Sequence, residues 1–251
     1  MGTATAETDR PFPTAARIAL LVFAMLFPSF MASLYFVYLP SGGLAQAAYF
    51  GGKVLQFAFP VLFVLLVEGH LPRPKRPHFA GLGIGLAFGL AVAAGMLALY
   101  YGWLADTLLF TDTGKLIKGK LDVFHVSSPA EYLLLSVVIV AVHSLAEEYY
   151  WRWFTFAQLN KVVNLPLAIA LSSAAFVGHH VLVLYAYFPG RLWVAVVPFS
   201  LAIGVGGAFW AWLFARTQTI YSSWLSHALV DAAIFVIGWD LLQRVGWGPT
   251  P

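Results

Sequence analysis

Three short stretches of this chain put acids and imidazoles among apolar residues. They are HSLAEEYYWR with His143, Glu147, Glu148 and Arg152, FVGHH with His179 and His180, and SHALVD with His227 and Asp231. Carboxylates and imidazoles take and return protons near neutral pH, and imidazoles also hold water, a metal or a developing oxyanion. Their spacing gives them direction. Glu148 and Arg152 stand four apart with the acid first, the favourable order for an ion pair on one helix face. His143 and Glu147 share a neighbouring face about 100° round, and His227 and Asp231 share a face of their own.

Each stretch lies in an apolar run long enough to cross a bilayer. Of 251 residues, 61% are hydrophobic and 10% charged, a mixture that cannot cover itself with polar surface in water. At about 20 residues per crossing, the chain reads as seven spans: Arg17–Leu39, Gln46–Val67, Phe79–Leu104, Pro129–Leu159, Leu165–Tyr187, Leu192–Ala215 and Thr219–Val245. The expected fold is all-α, a polytopic transmembrane helix bundle forming one membrane domain over residues 1–251, with a motif-bearing core at about 129–245. The first run is longer than a signal-peptide core and follows a polar stretch, so it is expected to be retained as a span.

Composition also excludes chemistry. With no cysteine, there are no disulfides, thiolate nucleophiles or Cys-ligated zinc. The formal charge of +3 is spread between apolar runs, not gathered in a stripe, so the expected partner is the lipid bilayer and no nucleic acid. With a cytoplasmic amino terminus, Arg10, Arg17, Arg73, Lys75, Arg76, Lys161 and Arg216 fall inside. Lys115, Lys118, Lys120, Arg191 and Arg244 then fall outside, a modest bias that favours this orientation in a plasma or cytoplasmic membrane. The segment 70–78, HLPRPKRPH, is its strongest marker. Residues 105–128 fit an amphipathic helix on the membrane face or a polar loop, and Ser128-Pro129-Ala130-Glu131 reads as a capped helix start.

Ionisable groups inside spans are costly, so each is a functional candidate by default. Depth is an independent check. At about 1.5 Å per residue from the span ends, Glu147 and Asp231 lie about 18 Å in, His180 about 22 Å and His227 about 12 Å, within roughly two helical turns.

Glu147-Glu148-x-x-x-Arg152, Phe176-x-x-x-His180 and His227-x-x-x-Asp231 resemble the three motifs of the CAAX protease and bacteriocin-processing family, also called Abi or CPBP. They come in the right order, one per span, over about 137–237. The resemblance implies a helix bundle around a polar cavity and an endopeptidase acting on a membrane-associated protein or peptide. It implies that Glu147 activates the attacking water, His180 helps to hold it, and His227 with Asp231 stabilises the oxyanion. Glu148, Arg152, His143 and Phe176 would support them. Asp231 departs from the more natural Asn: ionised, it would repel an oxyanion, so it must either stay protonated and donate, or orient His227.

Other readings stand beside this one. A zinc-dependent variant would use His180 and His227 with Glu147 or Asp231, although no HExxH spacing supports zinc. A proton-coupled transporter or a non-catalytic immunity protein would also carry buried polar groups. For single residues the bland expectations are a neutral His143 bonded to a neighbouring helix and a self-neutralising Glu148–Arg152 pair. Tyr149, Tyr150, Trp151 and Trp153 read as an interfacial belt, and Lys53 as snorkelling or facing the bundle lumen. Asp240 and Arg244 read as an interfacial pair, and the glycines of GLGIGLAFG and GVGG as sites of close helix packing.

Overall fold

The structure is a computed structural model that describes residues 13–39, 42–70 and 78–247. Arg10 and the basic marker Arg73, Lys75 and Arg76 lie outside the described residues. Among the described residues there are helices and no strands. Among the described residues, seven helices are long and apolar enough to cross a membrane: α1 Thr14–Tyr38, α2 Gly43–Glu68, α3 Leu82–Leu104, α5 Pro129–Leu159, α6 Leu165–Tyr187, α7 Leu192–Thr217 and α8 Tyr221–Val245. An eighth, α4 Thr113–Val123, is short and polar on one side. The protein is an integral, multi-pass helix bundle.

Burial is arranged the opposite way to a water-soluble domain. Leu26, Leu66 and Leu134 are more than 60% exposed, whereas Glu148, Ser144, Ser222, Ser223 and Ser226 are fully buried. Apolar side chains therefore face lipid and the polar ones are kept inside, as a bilayer demands.

Local sequence explains how the helices start and meet. Ser128 caps α5 as expected, and Glu131 completes a capping box: the Glu131 amide donates to Ser128 Oγ at 3.3 Å, and Ser128 N donates to Glu131 Oε2 at 2.9 Å. Asn164 caps α6 by accepting from Leu167 N at 3.0 Å. Helix α8 is central, packing on α3, α4, α5 and α7. Its contact with α3 depends on glycine: a Cβ at Gly85 would stand 2.3 Å from the Ser222 carbonyl oxygen, and one at Gly89 would stand 2.8 Å from that of Ser226.

The segment 105–128 is helical at its centre, not a plain loop. Leu121 of α4 is buried with Tyr132 and Leu242, and Gly114 lies so close to α8 that a Cβ would come within 2.8 Å of the Leu241 carbonyl oxygen. The Gln46 amide donates to the Val123 carbonyl, tying α2 to the same end. Arg244 donates to Asp240 Oδ2 at 2.8 Å, as the spacing predicted, and also reaches Asp106 at 2.8 Å. At the opposite end Glu68 of α2 accepts from Gln158 at 2.9 Å and from Lys161, which fixes α2 and α5 at a common level.

Candidate active site

Helix α5 does not turn uniformly. Ser144–Glu148 is a single α-helical turn between π-helical stretches at Ile139–His143 and Tyr149–Phe156. Such widenings recur at functional sites, because they re-aim side chains that a regular helix would spread round its surface. Here both adjacent acids point inward: Glu147 is 4% exposed and Glu148 is fully buried.

The two acids have different company. Glu148 Oε1 lies 3.0 Å from Arg152 Nη1 and accepts from His227 Nδ1 at 2.9 Å. The Arg152 guanidinium lies over the rings of Phe176 and Trp210, at 4.7 and 5.0 Å, and its Nη2 donates to the Gly207 carbonyl at 3.5 Å. Among the described residues, the ion-pair partners of Glu147 are imidazoles, none of them at short range. His143 Nε2 stands 3.4 Å from its Oε1, His179 Nε2 3.5 Å from the same oxygen, and His227 Nε2 3.8 Å from its Oε2.

Aromatic rings hold the imidazoles in place. The His227 ring stacks on Trp210 with centroids 4.4 Å apart, and Trp210 itself donates to Ser226 at 3.0 Å. The His179 ring is parallel to Trp151 at 5.6 Å. His180 Nδ1 lies 2.8 Å from the Phe176 carbonyl. A carbonyl only accepts, so Nδ1 carries the proton and the lone pair of a neutral ring is on Nε2. Phe176 thus serves His180 twice, through this carbonyl and through ring contact at 4.5 Å. Asp231 Oδ1 is 3.6 Å from His227 Nε2, on the same side as Glu147 and opposite Glu148.

The structure brings together all eight residues singled out from sequence, and several details depart from expectation. His179, set aside in favour of His180, also faces Glu147. Glu148 is no isolated partner of Arg152, since it bridges to His227 on α8. His143 has its carboxylate partner on its own helix. Tyr150 and Trp151 are buried in the main apolar cluster, with Tyr150 donating to the Ala24 carbonyl at 2.7 Å, so they form no interfacial belt. Among the described residues, the donor atoms close enough to share a metal, all within 4.8 Å of one another, belong to Glu147, His179 and His180, a group that leaves out His227 and Asp231.

Comparison with protein families meets this geometry at the same helices. Residues 129–233 match the family model described as type II CAAX prenyl endopeptidase Rce1-like. The motif-bearing core resembles that family over this stretch. The match begins at the first residue of α5 and ends two residues beyond Asp231, so the matched stretch contains every acid and imidazole of the cluster and none of α1 to α3. It supports a CAAX-type protease of the membrane, and the buried Glu and His groups fit that class. Neither a curated protein nor a solved structure matches the chain.

What the sequence left unseen in the matched stretch was the pairing between helices. Two neighbouring histidines differ by about 100° on a regular helix, and no spacing within α6 says that both will reach α5. The π-helical stretches carry no sequence signature comparable to a capping box.

Proposed function

We propose that the protein is an intramembrane endopeptidase that hydrolyses a peptide bond in a membrane-associated protein or peptide. A water lies between Glu147 and the free Nε2 of His180; Glu147 takes its proton, and the hydroxide attacks the scissile carbonyl carbon. Negative charge then develops on the carbonyl oxygen, facing His227 Nε2. His227 meets it as an imidazolium, with Nδ1–H given to Glu148, the neighbouring carboxyl group that stays ionised at this step. When the C–N bond breaks, Glu147 returns its proton to the leaving amine. Asp231, on the Nε2 side of His227, joins the oxyanion site as a protonated donor. A prenylated carboxyl terminus is one substrate class that the family match supports.

The observation that carries this reading is the surroundings of Glu147: a buried carboxylate with three imidazoles at 3.4 to 3.8 Å and, among the described residues, no Lys or Arg ion pair. Those separations leave the acid free to accept a proton. A zinc-dependent variant is favoured by one distance, since 3.5 Å between Glu147 Oε1 and His179 Nε2 suits two ligands of a tetrahedral ion. Against it, His179 Nδ1 is buried without a partner, whereas a ligating histidine has its other nitrogen held.

The test is cleavage of a membrane-anchored peptide by purified protein in proteoliposomes, before and after exhaustive chelation, and by Glu147→Gln. Cleavage that survives chelation and disappears in the variant is the expected outcome. Activity lost on chelation and restored by zinc would select the metal variant. Solute or proton uptake abolished by Glu147→Gln, with no peptide cut by wild type, would select a transporter, and partner binding that survives His180→Ala combined with Glu147→Ala would select an immunity protein.

A further inference from the structure

Helix α7 brings no acid or histidine to the site, since its sequence from Leu192 to Thr217 contains neither. It sends in Trp210 instead. The side chain leans back over the preceding turn, as helical side chains do, onto Gly206, where an added Cβ would meet the ring at 3.5 Å. The indole is 4% exposed, with a face against the His227 ring at 4.4 Å between centroids and 19° between planes. The Arg152 guanidinium also lies over this indole, at 5.0 Å. Arg152 and His227 both hold Glu148, so one aromatic ring underlies both holds.

A hydrogen bond alone leaves His227 under-determined. Nδ1–H to Glu148 at 2.9 Å fixes one point of the ring, but the second side-chain torsion of histidine has broad wells. The ring can tilt about that point, and Nε2 on its far side swings with it. A flat aromatic face removes this freedom by fixing the plane. Nε2 then has one direction, toward Glu147 at 3.8 Å and Asp231 at 3.6 Å. Trp210 is itself anchored, because its Nε1 donates to Ser226 Oγ at 3.0 Å, and Ser226 is fully buried beside His227 in α8. The other tryptophan–histidine pair lacks such an anchor. The rings of Trp151 and His179 are 5.6 Å apart, and Trp151 Nε1 is buried without a partner among the described residues.

We propose that Trp210 is a positioning residue of the reaction, fixing the plane of the His227 ring so that Nε2 meets the oxyanion. The inference rests on the endopeptidase reading above and adds to it a helix, α7, that supplies none of the reacting groups. Trp210 acts through His227 and is not a catalytic residue. An aromatic face also attracts a ring that carries positive charge, as His227 does when the oxyanion forms, so the contact is strongest at the step it serves. A tryptophan that merely filled space would lower stability without acting through His227, and this difference makes the role testable.

Cleavage of a membrane-anchored peptide in proteoliposomes is measured for wild type, Trp210→Leu, Trp210→Phe and Phe209→Leu, the last losing a ring of α7 that stacks on Phe88 of α3 instead. Trp210→Leu should lower kcat about tenfold or more with KM within about twofold of wild type, and Trp210→Phe, which keeps a flat face, should recover most of the loss. Phe209→Leu should leave kcat within about twofold. In a His227→Ala background, Trp210→Leu should lower kcat no further. An unchanged kcat in Trp210→Leu, no recovery in Trp210→Phe, or the same loss with and without His227 overturns the proposal. Ser226→Ala releases the indole but keeps its bulk and should lower kcat about threefold or more; an unchanged kcat there overturns the proposal even where Trp210→Leu does not fold. Nuclear magnetic resonance of histidine-labelled protein reads the ring without turnover. His227 should give one sharp set of signals in wild type and Trp210→Phe and a broadened or multiple set in Trp210→Leu, and one sharp set in Trp210→Leu overturns the proposal. That loss of order in a protein whose wild type cuts no peptide would sink the endopeptidase reading and leave the hold of Trp210 on His227 standing.

Discussion

Glu147 and Glu148 are adjacent in the chain and equally withdrawn from lipid, yet they sit in two different chemical settings. Glu148 is held at 2.9 Å by His227 and at 3.0 Å by Arg152, whose guanidinium lies over the rings of Phe176 and Trp210. Glu147 is surrounded at 3.4 to 3.8 Å by groups that do not grip it. A short charge-assisted pair fixes geometry and uses up the acid's capacity to accept a proton, while a loose ring of imidazoles preserves it. The difference teaches that the first acid is placed for reaction and the second for architecture, with His227 touching both.

The most severe way to break this comparison is to exchange the losses. Glu147→Gln should lower kcat by about a thousandfold or more, within the range for a missing general base, while the thermal midpoint in detergent stays close to that of wild type. Glu148→Ala should behave in the opposite sense. It leaves Arg152 buried without its acid, which costs about 3–5 kcal/mol, and the thermal midpoint should drop by several degrees. A stable, fully folded Glu148→Ala protein with only its turnover impaired would show that the architectural assignment is wrong.

Next in size is the contrast between the two histidines of α6. His180 has Nδ1 fixed by the Phe176 carbonyl and presents Nε2 to the chamber, whereas His179 Nδ1 has no partner and its ring lies flat on Trp151. His180→Ala should therefore reduce kcat by about a hundredfold or more, and His179→Phe, which keeps the stacking on Trp151, by about tenfold. Equal losses measured on the same peptide would point to a shared role for both rings, as a metal would require.

How much of this was legible beforehand follows from what each feature depends on. The spans depend on runs of apolar residues, and two of the seven, Pro129–Leu159 and Leu165–Tyr187, are found at the residues read from sequence. The start of α5 depends on Ser128, Pro129 and Glu131, all local, and it too was readable. The pairs His143 with Glu147, Glu148 with Arg152 and Asp240 with Arg244 follow from four-residue spacing. The bond from Glu148 to His227, the second histidine at Glu147 and the inward placement of Tyr150 and Trp151 depend on how α5 is rotated against α6, α7 and α8. That rotation passes through two π-helical stretches, where a regular helical wheel misplaces every residue that follows.

The smallest expected effect concerns Asp231, and it sharpens the comparison most. Its Oδ1 lies 3.6 Å from His227 Nε2 on the side of Glu147, whereas Glu148 holds His227 from behind through Nδ1. The role of orienting His227 is thus already filled, and Asp231 is left facing the position where the oxyanion would form. An ionised carboxylate there would oppose the reaction; a protonated one donates, and an asparagine would donate at any pH. Asp231→Asn should accordingly keep kcat within about tenfold of wild type near neutral pH and should flatten the alkaline limb of the pH–rate profile. A collapse of activity comparable to that of Glu147→Gln would instead mean that the negative charge of Asp231 is needed, and that the proton-accepting side of the site includes both carboxylates.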